Sequence, residues 1–175
     1  NPDGTQRVLT DGFHRGADPS ISFDAQRFLF AGQRTAGDLW NVYEYTLADG
    51  QVRQVTRDLG NCRQPGYQSN LFTVDSPEPW FQIMFVSDAA GWMNEFGSGP
   101  VRSLYSCHVD GPQVRRMSYN LSDDLDPIMM GSGRVLYACW QRGTLDRGPL
   151  GRLSLFAMNI EGTDNGLFAD PAGKR

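Results

Sequence analysis

Apolar and polar residues alternate along this chain in short runs that recur at long range. VYEYTL from Val42, LYSCHV from Leu104 and LFAMNI from Leu155 align without gaps. Their second, fourth and sixth positions are apolar in every copy: Tyr43, Tyr105 and Phe156; Tyr45, Cys107 and Met158; Leu47, Val109 and Ile160. Between them stand Glu44, Ser106 and Ala157, then Thr46, His108 and Asn159, so each run predicts a strand with one better-buried face. Each run ends in an acidic residue and a glycine (Asp49-Gly50, Asp110-Gly111, Glu161-Gly162), a pair suited to a hairpin turn that needs positive φ.

A second set lies upstream: RFLFAG from Arg27, QIMFVS from Gln82 and RVLYAC from Arg134, with four consecutive apolar columns. Such a strand is covered on both faces. On this pattern Leu29→Asp and Leu136→Asp are both expected to prevent soluble folding. Ahead of it comes a short strand introduced by Asp-Pro, clearest in ADPSISFD from Ala17 and LDPIMMGSG from Leu125. After the first two turns come QVRQVT and QVRRMS, polar strands whose arginines suit a sheet edge; after the third the pattern weakens into TDNGLFAD.

The repeating unit is therefore four strands, and the fold class expected is all-β, a partial β-propeller of about three four-stranded antiparallel blades. The turn glycines Gly4, Gly50, Gly111 and Gly162 are 46, 61 and 51 residues apart, near the spacing of about 40–50 seen in propeller repeats. The opening NPDGTQRVLT lies position for position on Asp49–Thr56 and reads as the outer strand of a preceding blade. The expected division is 1–10 for that strand, then blades at 11–56, 57–118 and 119–175, the last incomplete at its end. Three blades cannot close a ring, so the remaining blades or another protein chain are the expected partners.

Composition narrows the function without fixing it. Twenty Gly and ten Pro fit many tight turns, and 39% apolar content fits a globular core. Sixteen basic and 20 acidic residues are spread without a basic stripe, which argues against nucleic-acid binding. No apolar run reaches the roughly 18–20 residues of a membrane span. Three cysteines, Cys62, Cys107 and Cys139, show no metal or redox spacing. Cys107 falls in an apolar column, Cys139 in a column of small residues, and Cys62 in a polar loop where it can react or pair.

The combination DPSISFDAQRFLFAG followed by WNVYEYTLADGQVRQVT resembles a blade of the TolB-type propellers. SLYSCHVDGPQVRRMSYNLSDDLDPIMMGSGRVLYACWQ followed by LSLFAMNIEGTD is similar to the propeller region of proteins related to the hydrazine synthase alpha subunit. The resemblance implies a propeller of an exported bacterial protein, periplasmic or extracellular. That family's characterised member carries haem, but the Cys-X-X-Cys-His attachment motif is absent here, so no cofactor is expected in this segment. The Gly-X-Ser-X-Gly elbow of the related propeller-bearing serine peptidases is absent too. The expected role is a non-catalytic binding or scaffolding propeller. The alternative is the propeller portion of a multidomain enzyme, a c-type haem oxidoreductase or a prolyl-oligopeptidase-like peptidase, with its chemistry elsewhere.

In a propeller the connections from second to third strand, and from fourth strand to the next blade, gather at one end, where ligands meet the fold. His14 falls in one such loop as a metal ligand or proton carrier, or as a solvated loop histidine. Asp123 and Asp124, with Asp126, form the densest acidic cluster; they suit a hard cation, although Asp126 before Pro127 also suits a turn cap. Trp92 and Phe96, in the Gly-rich AAGWMNEFGSGP, are the aromatic candidates for contact with a ligand, with ordinary loop packing as the rival reading.

Overall fold

The computed structural model of the chain describes residues 4, 6–72, 77–95, 97–111, 113–141 and 151–169. Its strands form three antiparallel sheets of four, each in sequence order. Blade 1 holds β1 (Arg15–Ile21), β2 (Arg27–Gln33), β3 (Asn41–Thr46) and β4 (Val52–Gln54). Blade 2 holds β5 (Cys62–Tyr67), β6 (Gln82–Ser87), β7 (Ser103–His108) and β8 (Arg115–Arg116). Blade 3 holds β9 (Asp123–Met129), β10 (Arg134–Gln141), β11 (Arg152–Asn159) and β12 (Gly166–Ala169). The innermost strands pack side by side, β1 on β5 and β5 on β9, which makes an open arc of a propeller.

The apolar columns meet between blades. Leu29 and Val42 of blade 1 pack with Ile83, Phe85, Tyr105 and Cys107 of blade 2. The opposite face of blade 2, through Met84, Val86 and Leu104, packs with Val135, Tyr137, Cys139 and Met158 of blade 3. Blade 2 is thus buried on both faces, which is why the whole of β6 is buried. The face of blade 1 away from blade 2 carries an aromatic cluster, Phe30, Tyr43 and Tyr45, with Phe13 set edge-on to Phe30 and Tyr43.

The hairpin glycines have the positive φ expected of them, +73° at Gly50, +98° at Gly111 and +90° at Gly162. At Gly111 a side chain would also collide with the neighbouring blade, since a Cβ there would lie 2.7 Å from the Val55 carbonyl oxygen.

Asp-Pro does not precede the first strand but interrupts it. Asp18 and Asp126 take positive φ at a bulge within β1 and β9, and Gln64-Pro65 does the same in β5. The bulges meet next to one another around the channel. Arg63 Nε and the Gln64 N–H both donate to Asp18 Oδ2, at 2.7 and 2.9 Å, and Arg63 Nη2 reaches Oδ1 at 3.2 Å. One blade on, the Asp126 N–H donates to Gln64 Oε1 at 3.0 Å, and Gln64 Nε2 donates to Asp126 Oδ1. Burial pushes the Asp18 pKa up, but the Arg63 and Gln64 hydrogen bonds and the Arg63 charge outweigh it, leaving the carboxyl below its ordinary range.

Two further polar contacts repeat at each junction. At the start of the inner strand, Asn61 Oδ1 accepts from the Trp40 N–H while the Cys62 N–H donates to Trp40 O. Asp123 Oδ1 and the Asp124 N–H make the same pair of bonds to Arg102. At the outer rim, Arg53 bonds Asp110 of the next blade, and Arg115 bonds the Ile160 carbonyl. These outer arginines therefore join blades, where the sequence pattern suggested that they guard an edge.

Three other features differ from the sequence expectation. Gln6–Val8 form no strand, since an outer strand needs a third strand beside it and the described residues offer none; Leu9 packs instead on the aromatic face of blade 1. Strand β12 pairs with β11 and gives blade 3 its fourth strand, although backbone pairing there leaves little trace in side-chain pattern. Glu44 is buried in the junction between blades 1 and 2, so the third strand is covered on both faces. Its carboxylate is held by Arg53 Nη2 at 2.5 Å and the Tyr67 hydroxyl at 2.9 Å, with Arg27 Nη1 at 3.8 Å.

Candidate binding surface

The connection between β6 and β7 projects from one end of the arc, but its own hydrogen bonds fix its shape. Met93 and Pro100 form an isolated bridge, Asn94 accepts from the Gly97 N–H through its carbonyl and from the Ser98 N–H through Oδ1, and the Val101 N–H donates to Trp92 O. Trp92 is 54% exposed. Beside it the Arg116 guanidinium, from the end of β8, lies 5.0 Å from the Trp92 ring centre and 4.7 Å from that of Tyr119. Ser118 O and Ser103 Oγ anchor its Nε and Nη2, at 2.8 and 2.9 Å. Met93, Tyr119 and Leu121 are also exposed.

An arginine between two aromatic rings is a cation–π arrangement that presents apolar area and charge together. Trp, Tyr and Arg are the residue types enriched at the energetic centres of protein interfaces. Sequence reading picks out Trp92 from its loop but misses Arg116 and Tyr119. The signal was present in QVRRMSY, where a second arginine directly precedes the turn toward the next blade.

Asp123 and Asp124 are both buried. Asp123 binds Arg102 through two oxygens, with Nε at 3.1 Å and Nη2 at 2.9 Å, and so clamps blade 2 to blade 3. Asp124 accepts from Asn120 Nδ2 at 3.2 Å. Burial pushes its pKa above the ordinary value of 3.8, and hydrogen bonds from Ser118, Cys139 and Asn120 only partly oppose this. A raised carboxyl pKa contributes stability that is complete below the unfolded value and is lost as pH rises through the folded one. Asp124→Asn should therefore melt higher than the parent at about pH 8, with the gain vanishing near pH 3. A thermal-melt series that shows a constant difference across that range would refute the assignment.

His14 stands apart on blade 1, exposed, its backbone N–H bonded to Gln33 O at 2.9 Å. Phe96 and most of the connection from Gln141 to Gly151 lie outside the described residues. Cys62 is not in a loop but opens β5 and is wholly buried; burial pushes its thiol up to about 11, so it is unreactive at neutral pH. Cys107 is likewise buried and pushed up to about 12. Among the described residues no group of three or more His, Cys, Asp or Glu side chains is arranged to hold a metal ion.

Along the channel, β1, β5 and β9 line a cavity of about 420 Å³ with Pro19, Pro65 and Pro127 at the bulges. Phe23, Ile21 and Ile128 give its wall an apolar character, and all three are more than half exposed. Among the described residues no helix is long and apolar enough to cross a membrane.

Comparison with known proteins agrees with this architecture. No family model matches the chain. It is 24% identical over 197 aligned positions to hydrazine synthase subunit alpha of Kuenenia stuttgartiensis, covering 89% of this chain and 24% of that protein. The chain thus spans about a quarter of that relative's length. Among solved structures, Kuenenia stuttgartiensis hydrazine synthase superposes with a TM-score of 0.79 at 23% identity, over 96% of this chain and 27% of the other. A putative TolB from Agrobacterium tumefaciens gives a TM-score of 0.71 at 19% identity, over 94% and 52%. The fold is a TolB-like β-propeller arc.

Proposed function

We propose that this segment is a non-catalytic binding and scaffolding propeller of an exported bacterial protein, and that Trp92, Arg116 and Tyr119 form its contact surface. The observation that carries this is the pre-ordered, exposed aromatic pair around an anchored guanidinium. The buried charged groups Glu44 and Asp123 support it, because Glu44 bonds Tyr67 of blade 2 and Asp123 bonds Arg102 of blade 2, so both are engaged in joining blades. Likeness to a TolB structure supports a periplasmic or extracellular setting.

A photo-crosslinking residue at Met93, in the cells that make the protein, tests the surface. The expected result is a discrete adduct that disappears with Arg116→Ala or Trp92→Ala while the thermal melt stays within about 1 kcal/mol of the parent. An adduct pattern matching that from Phe72, which is more exposed than Met93, would overturn it. A second reading, the propeller portion of a multidomain enzyme, is favoured by the similarity to hydrazine synthase subunit alpha. It predicts catalytic motifs in the same reading frame outside these residues.

A further inference from the structure

We propose that blade 3 docks, on its face away from blade 2, a further blade whose innermost strand carries a cation immediately before an X-Pro bulge. This rests on the propeller reading above and names the partner surface by its chemistry. The two junctions present follow one rule with two charge states. Where the bulge residue is an aspartate, Asp18, the next blade places Arg63 directly before its own bulge and the two ion-pair at 2.7 Å. Where the bulge residue is the neutral Gln64, the next blade places Leu125 at that position, and the bond is amide to Asp126 instead.

Asp126 is again an aspartate in the left-handed region, at φ +51°. Its Oδ1 is taken by Gln64, and its Oδ2 takes part in none of the described hydrogen bonds. By the rule, the following blade supplies an arginine or lysine there, together with the N–H of its bulge residue. The apolar face beside Asp126 is ready for it. Ile128, Leu136, Ala138, Leu153 and Leu155 share the side of the sheet opposite Val135, Tyr137 and Met158, and Ile128 and Leu153 are 57% and 51% exposed.

A second copy of this chain does not meet these requirements. Blade 1 reads Ala17-Asp18-Pro19, with no cation before its bulge. At the end contact, where Asn61 and Asp123 offer an oxygen to the preceding blade's N–H, blade 1 offers Arg15, which has no acceptor. The partner is therefore a different blade.

The inference is tested by giving blade 1 the missing chemistry in the 175-residue chain itself. R15N/A17R places an acceptor and a cation where the rule requires them, at an exposed and a half-buried position, with circular dichroism checking that the fold is kept. Sedimentation velocity should then show head-to-tail self-association about tenfold tighter than the parent's, weakened by salt and abolished by adding Asp126→Asn. Association unchanged from the parent, or unchanged by Asp126→Asn, would overturn the proposal. The Met93 crosslink is read separately, so failure here leaves the contact surface standing and failure there leaves the docking rule standing.

Discussion

Leu29→Asp should leave no cooperatively folded protein, whereas Leu136→Asp should stay soluble and lose about 1 kcal/mol. The sequence pattern treats the two leucines alike, since both sit in the doubly apolar second strand. In the structure they are not equivalent. Leu29 is fully buried between blades 1 and 2 and lies directly across the ladder from Glu44. An aspartate there would face a buried carboxylate at cross-strand distance and would lose the apolar contacts of a leucine. Removing the leucine alone costs about 2–5 kcal/mol, and an unpaired buried charge adds several more, against a total stability of about 5–15 kcal/mol. Leu136 faces the open side of blade 3, across from the 57%-exposed Ile128, where a carboxylate keeps access to water. Soluble expression and urea unfolding of both variants make the comparison. Equal behaviour, in either direction, would contradict the assignment of faces.

Arg53→Met should be the next most damaging change, at about 2 kcal/mol. It strips the nearest positive charge from Glu44, whose side chain is 4% exposed. Breaking a fully buried pair costs about 3–5 kcal/mol, but Arg53 is itself 40% exposed and Arg27 remains 3.8 Å from the carboxylate, so the loss is smaller. The double variant Glu44→Gln with Arg53→Met should recover more than half of it, because the amide still accepts from Tyr67 and no charge is left without its partner. Urea denaturation of the parent, both single variants and the double variant yields the coupling. If the double variant is no more stable than Arg53→Met alone, the stabilising role assigned to the pair is wrong.

The blade order was legible because the apolar columns record burial directly. Strands β2, β6 and β10 align in sequence as they do in space, and the acidic-Gly pairs mark the three hairpins by the backbone geometry they require. What escaped the sequence is chemistry made by two blades at once. Gln64-Pro65 does not look like Asp18-Pro19, yet an amide oxygen serves as well as a carboxylate for accepting a backbone N–H, so the third bulge is hidden by residue type. Glu44 reads as a solvated face because Arg53, Arg27 and Tyr67, which make its burial tolerable, come from three other strands. Cys62 reads as a loop thiol because its neighbours Asn61, Arg63 and Gln64 are polar, and all three are engaged at the blade junction, Asn61 through the Trp40 N–H. Arg116 and Tyr119 were invisible as a pair with Trp92 until a connection about 25 residues away folded back beside them.

The bulge contacts also give the arc a direction. In each junction the side chain at the bulge of one blade accepts the backbone N–H of the next, and the reverse arrangement does not occur at the two junctions present. Such an interface is heterologous: the two surfaces that meet are different, as in a head-to-tail assembly. A heterologous contact repeated with a constant rotation has two fates, closure or an open helical run. The positive-φ bulges at Asp18, Gln64 and Asp126 sit at these contacts, so the rotation from one blade to the next is set where backbone geometry and inter-blade hydrogen bonding meet.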